Sequence, residues 1–256
     1  MNSLLTTSNL DISIGDVNVC RQLDWSVNPD EVWGILGLNG MGKTTLLKTL
    51  AGLRSPMTGK IMVKDQPVAT YSRKKLAQII GYLFQELPHD FPQTLLEYCS
   101  NALHPQLDRW QNLDKNHVRT IRQALQAVEL EQMQHRLLST LSGGEQRRAE
   151  IACLLIQNPA IWLLDEPLNH LDIHHQITMM QQLIQAAHKK SGAVIAVLHD
   201  ANLALRFCTH VLLLQGDGKT QVGITEKLLT RENLSALYQH PVSAIHGQGK
   251  TAFLPD

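Results

Sequence analysis

Val32-Trp33-Gly34-Ile35-Leu36-Gly37-Leu38-Asn39-Gly40-Met41-Gly42-Lys43-Thr44 decides how the chain folds. Val32–Leu36 is a short apolar run interrupted only by Gly34, which predicts a buried central strand. Gly37–Thr44 fits G-x-x-x-x-G-K-[ST], and a helical segment runs from Thr44 towards Gly52 and Pro56. Strand, glycine-rich turn and helix in that order make a cradle for phosphate. Glycines let the backbone turn its N–H groups onto phosphate oxygens, and the helix N-terminus adds partial positive charge. Lys43 reaches the β- and γ-phosphates and the Thr44 hydroxyl is a ligand for Mg²⁺. The nucleotide-binding candidates are Gly37, Asn39, Gly40, Gly42, Lys43, Thr44 and Thr45, with Lys43 also among the catalytic candidates.

A phosphate cradle needs an acid on a neighbouring strand. Ile161-Trp162-Leu163-Leu164-Asp165-Glu166 supplies an apolar strand that ends in two acids. Asp165 is placed to hold Mg²⁺. Glu166 is placed to polarise the attacking water as a general base, a role worth roughly 10²–10⁴ in rate.

Further strands are predicted at Leu10–Ile14, Leu23–Val27, Lys60–Val63, Ile79–Phe84, Ala193–Leu198 and Val211–Leu214. Helices are predicted at Ile173–His188 and Ala201–Phe207. From Leu95 to Arg136 the β-branched residues thin out, and Val118, Ile121, Leu125 and Val128 recur at helical spacing. Strands alternating with helices imply an α/β fold with parallel pairing. The stretch after Gly216 has smaller elements and says least.

Composition narrows the function. The 256 residues carry 23 basic and 23 acidic side chains and 43% apolar content. At roughly 100–200 residues per domain, this is one large domain or a domain plus a subdomain. Neutral charge without a basic run gives no nucleic-acid footprint. Cys20, Cys99, Cys153 and Cys208 are far apart in sequence and show no C-x-x-C spacing, so reduced, structural thiols are expected. No run approaches ~18 apolar residues, and Met1–Asn9 lacks the basic start of a secretory signal. A role at a membrane would need a partner chain.

Leu141-Ser142-Gly143-Gly144-Glu145-Gln146-Arg147 resembles the LSGGQ signature of ATP-binding cassette (ABC) proteins, with Glu in place of the last Gln. Small residues at a helix start again expose donors to an anion. The resemblance implies a P-loop NTPase fold, an ABC nucleotide-binding domain over 1–256, with a helical subdomain at about 91–139 and a C-terminal extension at about 216–256. It implies ATP and Mg²⁺ as cofactors. It implies that Ser142, Gly143 and Gly144 complete the ATP site of a second copy. Gln85 resembles the family's Q-loop glutamine, which touches the metal or the attacking water and senses the transmembrane partner. Asn169-His170-Leu171-Asp172 resembles the D-loop at the dimer interface, with Asp172 near nucleotide. His199 matches the switch histidine on the γ-phosphate. The implied catalytic set is Glu166, His199, Gln85 and Lys43, and the implied metal set Thr44, Gln85 and Asp165.

Within the family, His199-Asp200-Ala201-Asn202-Leu203-Ala204, Phe207–Val211 and Leu229–Leu234 with Leu237-Tyr238 resemble ATPase subunits of iron–siderophore, haem or cobalamin importers. That likeness implies a homodimer on the cytoplasmic face of the cell membrane, bound to permease subunits and served by a periplasmic or surface substrate-binding protein. Export of lipid, drug or lipoprotein is the alternative within the class; the run Asp90-Phe91-Pro92 favours import. A soluble cassette ATPase without a permease and a small-molecule kinase are the alternatives outside it. The kinase would have no use for Ser142-Gly143-Gly144. Two positions depart from the family: Ile14 stands where an aromatic residue often stacks on adenine, implying weaker stacking or an aliphatic contact, and Met41 is bulky for the phosphate loop and is expected to point outward. Trp25, Trp33, Trp110 and Trp162 read as core or interface anchors. His170 and His174 straddle a loop and a helix start, and Arg73-Lys74-Lys75 reads as a solvated helix face.

Overall fold

A computed structural model describes residues 3–85, 92–107, 113–247 and 250–256. Asp90, Phe91 and Trp110, and with Phe91 the expected start of the helical subdomain, lie outside the described residues. The chain packs as two compact units, one of residues 1–70 and 193–256, the other of residues 71–192. The class is α/β, as expected.

The first unit opens with β1 (Leu5–Ile14), β2 (Val17–Val27), β3 (Val32–Gly37), α1 (Lys43–Leu50), β4 (Thr58–Val63) and a short β5 (Gln66–Pro67). The second unit holds α2 (Arg73–Ile79), β6 (Ile80–Leu83), α3 (Leu95–Asn101), α4 (Lys115–Ala127), α5 (Gly143–Gln157), β7 (Ile161–Leu164) and α6 (Ile173–His188). The first unit then resumes with β8 (Ala193–Val197), α7 (Ala201–Phe207), β9 (His210–Gly216), β10 (Lys219–Ile224), α8 (Thr225–Leu228), α9 (Arg231–Tyr238), β11 (Val242–Gly247) and β12 (Lys250–Pro255).

In the first unit β3 pairs in parallel with both β8 and β9, and β10 closes on β9 antiparallel. Every residue of β3 and β8 is buried, as a strand covered on both faces requires. A second sheet runs β2-β1-β4-β5, antiparallel throughout. Along β2 from Leu23 to Val27 buried and exposed residues alternate, the pattern of a sheet with one solvated face. Trp25 and Trp33 meet edge to face at 5.0 Å, and His210 stacks on Trp33 at 4.6 Å. The last strands form an antiparallel hairpin, Val242↔Pro255 to Gly247↔Lys250.

Strands β1 and β2 start five and six residues before their predicted positions. Polar Thr6, Thr7 and Ser8 hid the start of β1 from a hydrophobicity reading. Here Thr7 is buried and its hydroxyl donates to the Leu23 carbonyl at 2.8 Å, so the strand carries a polar residue without an unmet bond.

In the second unit β6 and β7 are parallel, Ile80↔Ile161 to Leu83↔Leu164. Helix α5 is buried on several sides and takes α3, α4 and α6 against it. Ile121, Leu125 and Val128 are buried, whereas Val118, in the first turn of α4, is 46% exposed: the apolar stripe engages one turn later than its spacing predicts. Arg73, Lys74 and Lys75 are exposed on α2. No helix among the described residues is long and apolar enough to cross a membrane.

Candidate functional site

In the first unit β3 delivers the chain into residues 38–42 and α1. Gly40 and Gly42 sit at φ of 80° and 83° in the left-handed region. Gly42 is also the N-cap of α1, and a β-carbon there would lie 2.4 Å from Val19 Cγ2. The cap has no side-chain acceptor and the first helical turn carries no acid, so nothing anionic of the helix's own competes at this end. Lys43 is buried and its Nζ donates to the Gly37 and Leu38 carbonyls at 2.9 and 3.0 Å, which folds the ammonium over the loop. Thr45 is buried beside it. The Met41 thioether sits over Gly216, 3.6 Å from where a β-carbon would stand.

The β3–β8 register, Val32↔Val194 to Ile35↔Val197, is extended by the Leu198 amide donating to the Ile35 carbonyl at 3.1 Å. His199 therefore emerges at the same strand end as the phosphate loop. Its carbonyl accepts from the Tyr238 hydroxyl at 3.5 Å. Burial, then the charge of Asp200, pushes the Tyr238 phenol up to about 12. Asp200 caps α7 through the Asn202 amide at 2.7 Å. The Asn202 side chain exchanges hydrogen bonds with the backbone of Phe253 at 2.8 and 3.0 Å. Ile14 closes β1 opposite Val17; the two are 41% and 40% exposed, an aliphatic surface without an aromatic residue.

The second unit contributes an acidic strand end. The Asp165 amide donates to the Leu83 carbonyl at 2.9 Å, so Gln85 leaves β6 where Asp165 and Glu166 leave β7. Asp165 is fully buried and its Oδ2 accepts from the Tyr82 hydroxyl at 3.1 Å. Burial first, and then the Asp165 charge, holds the Tyr82 phenol well above its ordinary value. Glu166 takes a left-handed backbone, φ 49°, and its Oε2 accepts from the Asn169 side-chain amide at 2.5 Å.

Arg147, five residues beyond Ser142, is the functional residue that sequence reasoning left without a role. It is 4% exposed. Its guanidinium donates to the carbonyls of Phe84 (2.6 Å), Asp165 and Glu166 (both 2.8 Å) and Pro167 (3.2 Å). Glu150, also buried, pairs with it at 2.6 Å. One planar fork on α5 thus fixes the backbone on which Gln85, Asp165 and Glu166 stand. The one sequence signal was an Arg–Glu pair at i, i+3 in a helix that is otherwise largely apolar beyond it.

Ser142 caps α5 in a reciprocal box with Glu145. The hydroxyl donates to Glu145 Oε2 at 2.9 Å, the Ser142 amide reaches the same oxygen at 2.7 Å, and the Glu145 amide returns to Ser142 Oγ at 3.3 Å. The Ser142 amide, then its hydroxyl, holds the Glu145 carboxyl below the ordinary value. A β-carbon on Gly144 would stand 3.0 Å from the His170 carbonyl, so the D-loop backbone lies close over the signature glycine. Asp172 caps α6, taking the His175 amide and ring Nδ1, both at 2.8 Å. His170 lies in the turn before α6 and His174 on it.

Each unit thus gathers its own share of the candidates: the loop from Gly37 to Thr45 with His199 in the first, and Gln85, Ser142–Gly144, Asp165, Glu166 and Asp172 in the second. The sequence profile of the ABC transporter family matches residues 20–169. The ferric enterobactin transport ATP-binding protein FepC of Escherichia coli is 32% identical over 91% of this chain and 86% of its own. The hemin import ATP-binding protein HmuV of Rhodopseudomonas palustris is 32% identical over 95% of this chain and 93% of its own. Among solved structures, an inward-facing ABC transporter described as of metal-chelate type superposes with a TM-score of 0.85 at 27% identity, covering 99% of this chain and 98% of the matched one. With a phosphate loop, a buried acidic strand end and a serine-capped signature helix in one chain, and with matches of that extent, this protein belongs to the ABC transporter family as an ATP-binding ATPase domain.

Proposed function

We propose that the chain is the ATP-hydrolysing subunit of an importer for a metal chelate, with iron–siderophore complexes and haem as the leading cargo, and that it works as an ATP-closed homodimer under a permease. The observation that carries this reading is the likeness along nearly the whole chain to FepC, HmuV and the metal-chelate-type transporter. In this reading residues 91–139 are the inserted helical subdomain, residues 216–256 the extension, and the whole chain a single cassette on the cytoplasmic face of the membrane. A substrate-binding protein delivers cargo to the permease, and nucleic acid plays no part.

The loop amides and Lys43 hold the triphosphate. Glu166, aimed by Asn169, takes a proton from the attacking water. Gln85 and His199 contact that water and the γ-phosphate. Ser142, Gly143, Gly144 and Asp172 serve the nucleotide of the twin subunit, so an isolated copy lacks donors around the γ-phosphate and turns over slowly. Thr44, Gln85 and Asp165 would hold Mg²⁺: a hydroxyl, an amide oxygen and a buried carboxylate are the hard oxygen donors this ion takes. When bound, it neutralises charge on the β- and γ-oxygens.

Two measurements test the reading. Glu166→Gln should keep ATP-dependent dimerisation, read by size-exclusion chromatography, and lose about 10²–10⁴-fold in turnover; wild-type hydrolysis by that variant removes Glu166 from the mechanism. Cells lacking the chain should fail to accumulate a labelled ferric siderophore or hemin and recover with the gene restored. Unimpaired uptake of every chelate tried rejects the cargo class.

A further inference from the structure

Two of the four thiols, far apart in sequence, meet in the second unit. Cys99 on α3 and Cys153 on α5 have Sγ atoms 4.0 Å apart. Cys99 is fully buried and Cys153 is partly exposed as a residue. Cys20 and Cys208 lie in the other unit and are buried. Bond formation needs an S–S separation near 2.05 Å, which calls for a side-chain swing of the two sulfurs within one helix–helix contact.

We infer that Cys99 and Cys153 are a modification site that closes to a reversible disulfide under hydrogen peroxide. The Cys153 sulfur, as thiolate, attacks one peroxide oxygen; the O–O bond breaks, Cys153 becomes a sulfenic acid, and the departing oxygen takes a proton to leave as water. The Cys99 sulfur then gives up its proton and attacks the Cys153 sulfur. The S–S bond forms, the S–O bond breaks, and a second water leaves. Two thiols lose two electrons and one peroxide becomes two waters. The neighbouring Cys99 thiol and burial hold Cys153 well above the ordinary thiol range, so little thiolate is present and its attack on the oxidant is slow.

The cross-link would tie two elements that do different work. Helix α3 follows the segment that starts at Gln85, and its amides at Leu95 and Leu96 are held by the Arg136 and Gln134 carbonyls. Helix α5 carries Ser142 at its N-cap and the Arg147 fork. Joining them covalently restrains the signature helix against the permease-sensing side and lowers turnover, a consequence that rests on the ATPase reading above.

The test is peptide mapping of the whole protein after hydrogen peroxide, alkylation of remaining thiols and non-reducing digestion. The expected product is a linked pair of peptides carrying Cys99 and Cys153, lighter by two hydrogens and separated by dithiothreitol. It should form in a Cys20→Ala/Cys208→Ala protein and be absent from Cys99→Ala and from Cys153→Ala. Hydrolysis should fall several-fold on oxidation of the wild type, recover with dithiothreitol, and stay unchanged in Cys99→Ala. Recovery of Cys99 as its alkylated peptide after Cys153 has become sulfinic acid overturns the site, and a linked protein with undiminished turnover overturns its effect on hydrolysis. A reduced protein without turnover refutes the ATPase reading instead, and the peptide masses still decide the cross-link.

Discussion

Arg147 is read most economically as a charge whose partners are backbone. Removing it takes the guanidinium from buried Glu150 and strips donors from the Phe84, Asp165, Glu166 and Pro167 carbonyls. Arg147→Ala is therefore expected to cost about 3–5 kcal/mol of stability, the usual consequence of breaking a buried pair from one side. Arg147→Met combined with Glu150→Met removes both charges and should restore much of the melting temperature, yet turnover should stay low because no fork holds the carbonyls. A double variant with full hydrolysis would reduce Arg147 to a folding residue. Glu145 poses a different question at the same scale. Its carboxylate occupies the Ser142 hydroxyl and sets a negative charge at the proposed phosphate site. Gln keeps the reciprocal cap without the charge. Glu145→Gln should lower KM for ATP a few-fold and leave stability within about 0.5 kcal/mol; an unchanged KM argues against Ser142 as a phosphate donor. Sequence reading found Ser142 by its motif. It passed over Arg147, because a charged residue on a helix reads locally as solvated and its acceptors come from two distant segments that no local pattern brings together.

Elements with strong local signals matched their predictions closely. β7, α6 and α7 fall on the residues that their apolar runs and flanking caps predict. The antiparallel sheet was less legible, since β1 and β2 are extended by cross-strand pairing rather than by their own apolar content. Helix starts share one chemistry. Thr94 with Glu97, Asp114, Ser142 with Glu145, and Asp172 cap α3, α4, α5 and α6. Backbone N–H donors, before any other cause, hold the Glu97, Asp114, Glu145 and Asp172 carboxyls below their ordinary 4.5 or 3.8. Their contribution is complete above those ordinary values and is lost as pH falls through the lower folded ones. Helical content followed by far-ultraviolet circular dichroism should hold down to pH 4.5 and decline below it. A decline that begins near neutrality would assign the acid sensitivity to other groups.

Across the whole molecule, the candidates are distributed so that Lys43 and Ser142 belong to separate units. The proposed homodimer makes a sharp demand of that distribution. Lys43→Ala damages a copy's own phosphate loop, and Ser142→Ala damages what it lends its twin. Each variant alone should be nearly inactive. Mixed together they regenerate one intact pocket per heterodimer, and hydrolysis should rise above either parent. A mixture no more active than its parents would place the complete pocket within one chain. The thiols mark the limit of sequence reading at this scale: Cys99 and Cys153 are separated along the chain, and only the packing of α3 on α5 brings them together.

The hairpin β11–β12 is fastened to Asn202, three positions past His199, and α9 reaches the His199 carbonyl through Tyr238. The tail is thereby a splint on the histidine loop. Anything that peels the final strand away, whether a fused tag, a protease cut or a bulky neighbour, loosens that loop without touching the nucleotide, so handles for purification belong at the amino end.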